Sequence, residues 1–514
     1  MYLGHNDTYT LNIRPENLKV TNFRTLSVLW FSILLVILYL FLDWCCVLFG
    51  LGSRWRIVLL VVLFVGLVFR MLVVPFTTGS DIAQFAGFGD SFLRFGLCFY
   101  RYDFPGVPGV EWAFPWPYVY GPVFLFVLGL LRLFVGSPVE CFWDDSHYYV
   151  YVPLDWIVAV KSVFVLFDLM VAILLYVIVR RLGVKESWAV LVFGLYWLNP
   201  MTIYISAIYG MFDMIALACF LAGLYLFVKA GSGRKYFYLG LFLAGLSIAV
   251  KQTMIYPVFI LVLYLLLFSR VGRKKRLIGC LVLFFGGVLP FLPFEIGCPG
   301  SLEALLMVMG SVSRPGYTYP IVYSFNGFSS LATFLHDMYG WGLMWVFEYW
   351  WVPFTILIVL VVTGFLARRD LYTYIGLSYL VFIATYWRVN HQYLIPTVAF
   401  LCILLVRRRE KIVRILSLLI IILTGVWPVA FPTSWWAHVH IRHPNEFIVN
   451  LLDALSLRIF DQSFYVAYSL VLTIATYLLI IMVVCIDVKR CITARKKRVR
   501  IISSRQPLHY TNHA

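Results

Sequence analysis

Several short stretches of the sequence set ionisable residues against the ends of apolar runs. In "VVPFTTGSDIAQFAGFGD", Asp81 and Asp90 follow a run long enough to be a membrane helix, and Asp103 lies further along the same polar segment. "SIAVKQTMIYP" places Lys251 in a turn between two apolar runs, "SAIYGMFD" places Asp213 just after another, and "ATYWRVNHQYLIP" gathers Arg388, His391 and Gln392. Charge is costly inside a bilayer, so ionisable residues at or within apolar runs are functional candidates by default. A carboxylate within reach of a hydroxyl is a general base, and cations beside it can hold a phosphate and stabilise it as it leaves. Together they suit transfer of a group from a lipid-phosphate carrier, and a lipid substrate keeps that chemistry at the bilayer surface.

The elements that position these residues are membrane helices. The chain of 514 residues is 62% hydrophobic, 18% aromatic and 13% charged, whereas soluble domains carry roughly a quarter charged residues. About 20 apolar residues cross the hydrocarbon, and the sequence predicts thirteen spans: Val28–Leu48, Ile57–Phe76, Ile157–Val179, Trp188–Ile208, Phe212–Val228, Tyr236–Val250, Met254–Phe268, Ile278–Phe294, Val352–Ala367, Leu371–Tyr386, Leu394–Val406, Ile412–Phe431 and Phe464–Ile486. One all-α, polytopic helix bundle over residues 1–514 is expected.

Short cytoplasmic loops are enriched in Lys and Arg, which fixes the sides. The basic connectors "SRWR", "RRLGVKE", "KAGSGRK", "SRVGRKKR", "ARRD" and "RRREKIVR" and the tail 487–514 fall on one side only if the run Tyr118–Gly136 does not cross. That run is read as a re-entrant or interfacial helix within a large outer segment, Thr77 to Trp156, rich in the Trp and Tyr of a membrane interface. Fourteen crossings would put the aromatic segment or several basic loops on the wrong side. All the ionisable candidates then fall on the outer face. The net charge of +17 resides in the loops and tail, where contact with anionic headgroups accounts for it; no nucleic-acid partner is expected. The polar N-terminus predicts no cleavable signal peptide at its start.

Structural roles compete at each position. Lys251 could snorkel to the headgroups, Asp213 could cap a helix, and Asp90 and Asp103 read best as solvated loop residues. Lys161 and Asp168, seven residues apart in "DWIVAVKSVFVLFDLMVAILLY", are expected to pair with other spans inside the bundle. Cys98, Cys141 and Cys298 lie in polar segments, and their odd number leaves a disulfide pairing open. The cysteines show no metal-ligand spacing.

The order of these motifs resembles the multi-spanning GT-C glycosyltransferases that use polyprenyl (dolichyl) phosphate sugars. Closest in pattern are the mannosyltransferase of GPI-anchor assembly and archaeal and bacterial mannosyltransferases. The resemblance rests on "SDIAQF", "RFGLCFYRY", "YVYGPVFLF", "LFDLMVAILLYVIVRR", "WLNPMTIYISAIYGMFDMIALACFLAGLYL", "GLFLAGLSIAVKQTMIYPVFIL" and "VNHQYLIP", from about Phe76 to Val406. It implies a GT-C-like bundle that moves a sugar, mannose before glucose, by inversion to a lipid-linked or glycan acceptor on the outer or lumenal face. Asp81 would be the catalytic base, Lys251, Arg388 and His391 the donor-phosphate contacts, and Gln392, Asp213 and Tyr120 substrate-binding residues.

Many members carry Asp-x-Asp, but here Gly79 stands two before Asp81, so the expectation is no metal and no other cofactor. The expected partners are a polyprenyl-phosphate sugar, the acceptor and membrane lipids. The compact basic loops suit an archaeal plasma membrane, with the endoplasmic reticulum the eukaryotic counterpart. A transporter or lipid flippase is the alternative function; it would use Lys161 and Asp168, but its usual internal repeat is absent from the sequence.

Overall fold

Apolar stretches bounded by Arg and Lys become helices because a backbone in hydrocarbon must satisfy its own hydrogen bonds. The computed structural model describes residues 9–12, 53–102, 113, 116–144, 147–229, 234–315, 324–343, 345–430, 439–441 and 462–503. The expected first span, Val28–Leu48, and Asp103 lie outside them.

The chain is an integral membrane protein built on helices. Labelled in chain order, the principal ones are α1 (Ser53–Val73), α2 (Ser80–Phe95), α3 (Pro122–Phe134), α4 (Leu154–Arg181), α5 (Glu186–Trp197), α6 (Asp213–Lys229) and α7 (Arg234–Val250). They are followed by α8 (Ile255–Leu267), α9 (Arg273–Val288), α10 (Trp351–Arg368), α11 (Leu371–Thr385), α12 (Leu394–Arg407), α13 (Lys411–Ala430) and α14 (Gln462–Ser503). Among the described residues, six helices are long and apolar enough to cross a membrane, and a bent pair makes a seventh. The expected thirteen crossings are thus not reached on length alone. Helices α6, α7, α8, α11 and α12 have only 13 to 17 residues, fewer than the roughly 20 needed to span hydrocarbon alone. Residues Leu394–Val406 of α12 are all buried. Such a helix is surrounded by protein, where irregular backbone at its ends is tolerated.

The all-α expectation holds apart from two small strand sets. Strand β1 (Tyr9–Asn12) pairs parallel with β4 (His147–Tyr151), which pairs antiparallel with β3 (Glu140–Asp144). Strand β2 (Thr77–Gly79), leading into Asp81, pairs antiparallel with β5 (Val439–Ile441), with Thr78 opposite His440.

Three expected elements change shape. The span Trp188–Ile208 breaks: Asn199 accepts a hydrogen bond from the Met201 N–H as N-cap, Pro200 opens the short helix Pro200–Ile203, and the two halves bend by 48°. The second half continues as a π-helix, Tyr204–Tyr209, ended by Gly210 at φ +88°, a left-handed conformation that only glycine adopts cheaply. The run from Tyr118 forms α3, a 13-residue helix too short to cross. One face packs on α2, where Arg132 makes a two-pronged bond to Asp90 at 2.7 and 2.9 Å, while Leu130, Leu133 and Phe134 are exposed. Asp90 is thus a brace between α2 and α3.

The basic tail is helical as far as Ser503 as part of α14. A helix of that length extends about 63 Å, twice the roughly 30 Å of hydrocarbon. Its buried Asp487 receives Arg408 at 2.7 and 2.9 Å and the Tyr374 hydroxyl at 2.9 Å. Cys98 and Cys298 form a disulfide, leaving Cys141 free.

Candidate functional site

Asp81 occupies the first turn of α2, where a helix N-terminus favours negative charge. Two side chains fix the backbone around it, and a third holds its carboxylate. Lys161, fully buried in α4, donates to the Thr77 carbonyl at 2.7 Å, the Thr77 hydroxyl at 3.1 Å and the Ile208 carbonyl at 2.7 Å. Trp156 donates to the Ile82 carbonyl at 2.8 Å. Tyr209, at the end of the π-helix, donates its hydroxyl to the Asp81 carboxylate. The partly exposed Asp81 is thus anchored to two neighbouring elements.

Gly79 explains why an Asp-x-Asp pair cannot form here in the usual way. A Cβ at this position would lie 2.3 Å from the Tyr209 carbonyl oxygen, so any side chain would displace the residue that bonds Asp81.

Lys251 lies in the extended link between α7 and α8. It was expected at the outer surface, but its side chain is 2% exposed and bonds Asp213, itself 1% exposed, at 2.6 Å. The Nζ also faces the rings of Phe212 at 4.8 Å, Tyr393 at 5.1 Å and Tyr120 at 5.4 Å. The snorkelling role is therefore excluded, and Asp213 is an ion-pair partner. The correction has a physical cause. The short helices α7 and α8 end inside the bundle, and a cation there needs a counter-ion.

Tyr120 joins this cluster because Gly121 lets two backbones meet: a Cβ on Gly121 would fall 1.8 Å from the Ala249 carbonyl oxygen. The neighbouring Gln252 donates to the Val119 carbonyl at 3.2 Å. Desolvation, then the Asp81 carboxylate, pushes the Tyr120 phenol well above its ordinary range, and Asp213 adds to this while Arg388 opposes it. Tyr120 therefore feels Asp81, Asp213 and Arg388 at once and lies under Lys251.

Arg388 is partly exposed in the turn between α11 and α12. His391 follows it, its ring edge-on to Tyr209 at 4.5 Å and stacked on Trp427 at 5.7 Å. Gln392 is buried. The Lys251–Asp213 pair packs beneath Tyr120, whose phenol also interacts with the charges of Asp81 and Arg388, and His391 packs on Tyr209, which bonds Asp81.

Sequence reasoning missed Tyr209 and Trp427, which are ordinary aromatics in apolar runs. It also missed Arg70, an intramembrane cation in "LVFRMLVV" that its position alone marks as notable. Arg70 bonds Asp168 at 2.6 Å, both fully buried, and reaches Ser206 and Thr202 at 3.2 Å; Tyr196 donates to Asp168 at 2.7 Å. Asp168 and Lys161 thus pair with other elements, as expected, and not with each other. Among the described residues no cluster of three His, Cys, Asp or Glu side chains has a metal-holding arrangement.

The sequence model of the family described as "GPI transamidase subunit PIG-U" matches residues 120–303. No curated protein matches the chain. Among solved structures, ArnT from Cupriavidus metallidurans in the apo state is similar over 84% of this chain and 77% of its own, with 15% identity and a TM-score of 0.43.

Proposed function

We propose that this protein is a membrane glycosyltransferase of GT-C type that moves a sugar, mannose in the first instance, from a polyprenyl phosphate to an acceptor hydroxyl on the outer or lumenal face. The observation that supports this reading is the buried Lys251–Asp213 pair beneath Tyr120, with Asp81 and Arg388 close enough to act on the same phenol. Asp81 takes the proton of the attacking hydroxyl. Arg388, partly exposed, meets the donor phosphate, and charge held in place there stabilises it as it leaves. Lys251 stands behind with its charge balanced by Asp213, while His391, Gln392 and Tyr120 shape the substrate side. No metal is required in this scheme.

The test is to incubate purified protein in vesicles with radiolabelled dolichyl-phosphate mannose and lipid or glycan acceptors. Wild type is expected to transfer label, and Asp81→Asn to lose at least about 100-fold, the lower range for general-base catalysis. Equal rates would end the base assignment.

The PIG-U match favours a second reading, a subunit of a membrane complex that acts on GPI lipids without transferring sugar itself. Under it, Asp81→Asn would leave function in cells intact, and the protein would purify with partner subunits from a mild detergent extract.

A further inference from the structure

We infer that Tyr209 is a positioning residue for the proposed base, holding one oxygen of the Asp81 carboxylate so that the carboxylate faces the acceptor hydroxyl. This rests on the reading of Asp81 as base.

The geometry around Tyr209 supports it. Tyr209 ends a π-helix, an irregularity that recurs at functional sites, and its carbonyl is packed against Gly79 at the edge of the strand that delivers Asp81. One ammonium, Lys161, bonds both sides of this junction at 2.7 Å, through the Thr77 and Ile208 carbonyls. The Tyr209 hydroxyl is therefore delivered to Asp81 by two elements clamped together. Titratable groups among the described residues that interact with Asp81 include Tyr204 on the π-helix, Tyr120 on the outer segment, Asp213 at the start of α6 and Lys251 between α7 and α8, and His391 packs edge-on against Tyr209 at 4.5 Å. The Lys161 ammonium lies beside the same junction from α4.

A phenol is a neutral donor. It fixes the orientation of a carboxylate and favours the ionised form without the full Coulombic drain on basicity that a directly bonded cation imposes. In the transfer step, the acceptor oxygen bonds to the anomeric carbon of the sugar as the bond from that carbon to the phosphate oxygen breaks. The electron pair leaves with the polyprenyl phosphate, the acceptor proton passes to Asp81, and Tyr209 keeps its own proton throughout.

The experiment measures transfer from dolichyl-phosphate mannose against pH for wild type, Tyr209→Phe and protein carrying 3-fluorotyrosine at position 209. Without the hydroxyl, the acid limb of the profile is expected to move up by about one pH unit, the scale of losing one hydrogen bond to a carboxylate. The more acidic fluorophenol donates more strongly and is expected to move the limb down. A profile unmoved in both proteins overturns the inference. If Tyr209→Phe fails to fold, the fluorotyrosine protein alone decides by the direction of its shift. Loss of transfer in Asp81→Asn together with unmoved profiles keeps the base and removes only Tyr209; full transfer in Asp81→Asn removes both.

Discussion

The Lys251 ammonium and the Asp213 carboxylate meet at 2.6 Å with almost no exposure of either side chain, so each is the reason the other can be charged. Removing one partner of a buried pair costs about 3–5 kcal/mol because it strands the other, whereas replacing both with apolar residues is often near neutral. Lys251→Met and Asp213→Leu are each expected to lower the melting temperature in detergent sharply, and the double variant to recover most of it. The double variant is nevertheless expected to transfer sugar poorly. Single variants as stable as the double would mean that the pair is not energetically coupled.

Gly79 has no space for a side chain beneath the Tyr209 carbonyl. Gly79→Asp, which restores the Asp-x-Asp pattern on paper, is therefore expected to push Tyr209 off Asp81 and to lower transfer by at least about tenfold, the effect of roughly 1.4 kcal/mol in the barrier. Added Mn²⁺ or Mg²⁺ is expected to restore nothing. Metal-stimulated transfer in this variant would show that the junction yields and that a second acid can be accommodated.

The sequence offers a side for each polar residue, because Lys and Arg in short loops bias orientation. It also made Asp81, Lys251 and Arg388 visible as charges at helix ends. It did not show depth: the same lysine turn could meet headgroups or a buried carboxylate, and only the packing of α7 against α6 decides that Lys251 finds Asp213. The break at Asn199–Pro200 was written in the residues, since proline favours the first helical turn and asparagine the cap. The π-helix beyond it was not: its Ser206 is met by Arg70 from another span, a contact that no local pattern announces. Tyr209 was hidden for a similar reason, as an aromatic in an apolar run gives no local sign that its hydroxyl will meet an acid 128 residues away.

Cys98 and Cys298 lie 200 residues apart in sequence and are joined, tying the segment that follows α2 to the one that follows α9. Native disulfides contribute about 2–5 kcal/mol in small domains, and Cys98→Ser is expected to lower the melting temperature by several degrees. The exposed Cys491 lies in the basic stretch of α14 beyond its apolar run, which the loop charges assign to the opposite side. In intact cells a membrane-impermeant maleimide is therefore expected to label Cys98 or Cys298 only after reduction by an impermeant reductant, and Cys491 only after permeabilisation. Labelling of Cys491 in unpermeabilised cells would reverse the assigned orientation.

Arg70 and Asp168 separate the enzyme reading from the transporter reading. A transporter needs its intramembrane charges to move or titrate along a pathway, whereas here Arg70 is held by Asp168, Ser206, Thr202 and the Gly66 and Trp197 carbonyls. Such a ring of partners holds a charge still. Asp168→Asn keeps the shape of the side chain but leaves the arginine without its counter-ion, and it is expected to reduce stability by about 3–5 kcal/mol. Arg70→Met combined with Asp168→Leu is expected to regain most of that, and the folded double variant to keep transfer within a few-fold of wild type. Substrate flux across vesicles that vanished in a stable double variant, with no sugar transfer detectable in wild type, would place these two residues in a transport pathway instead.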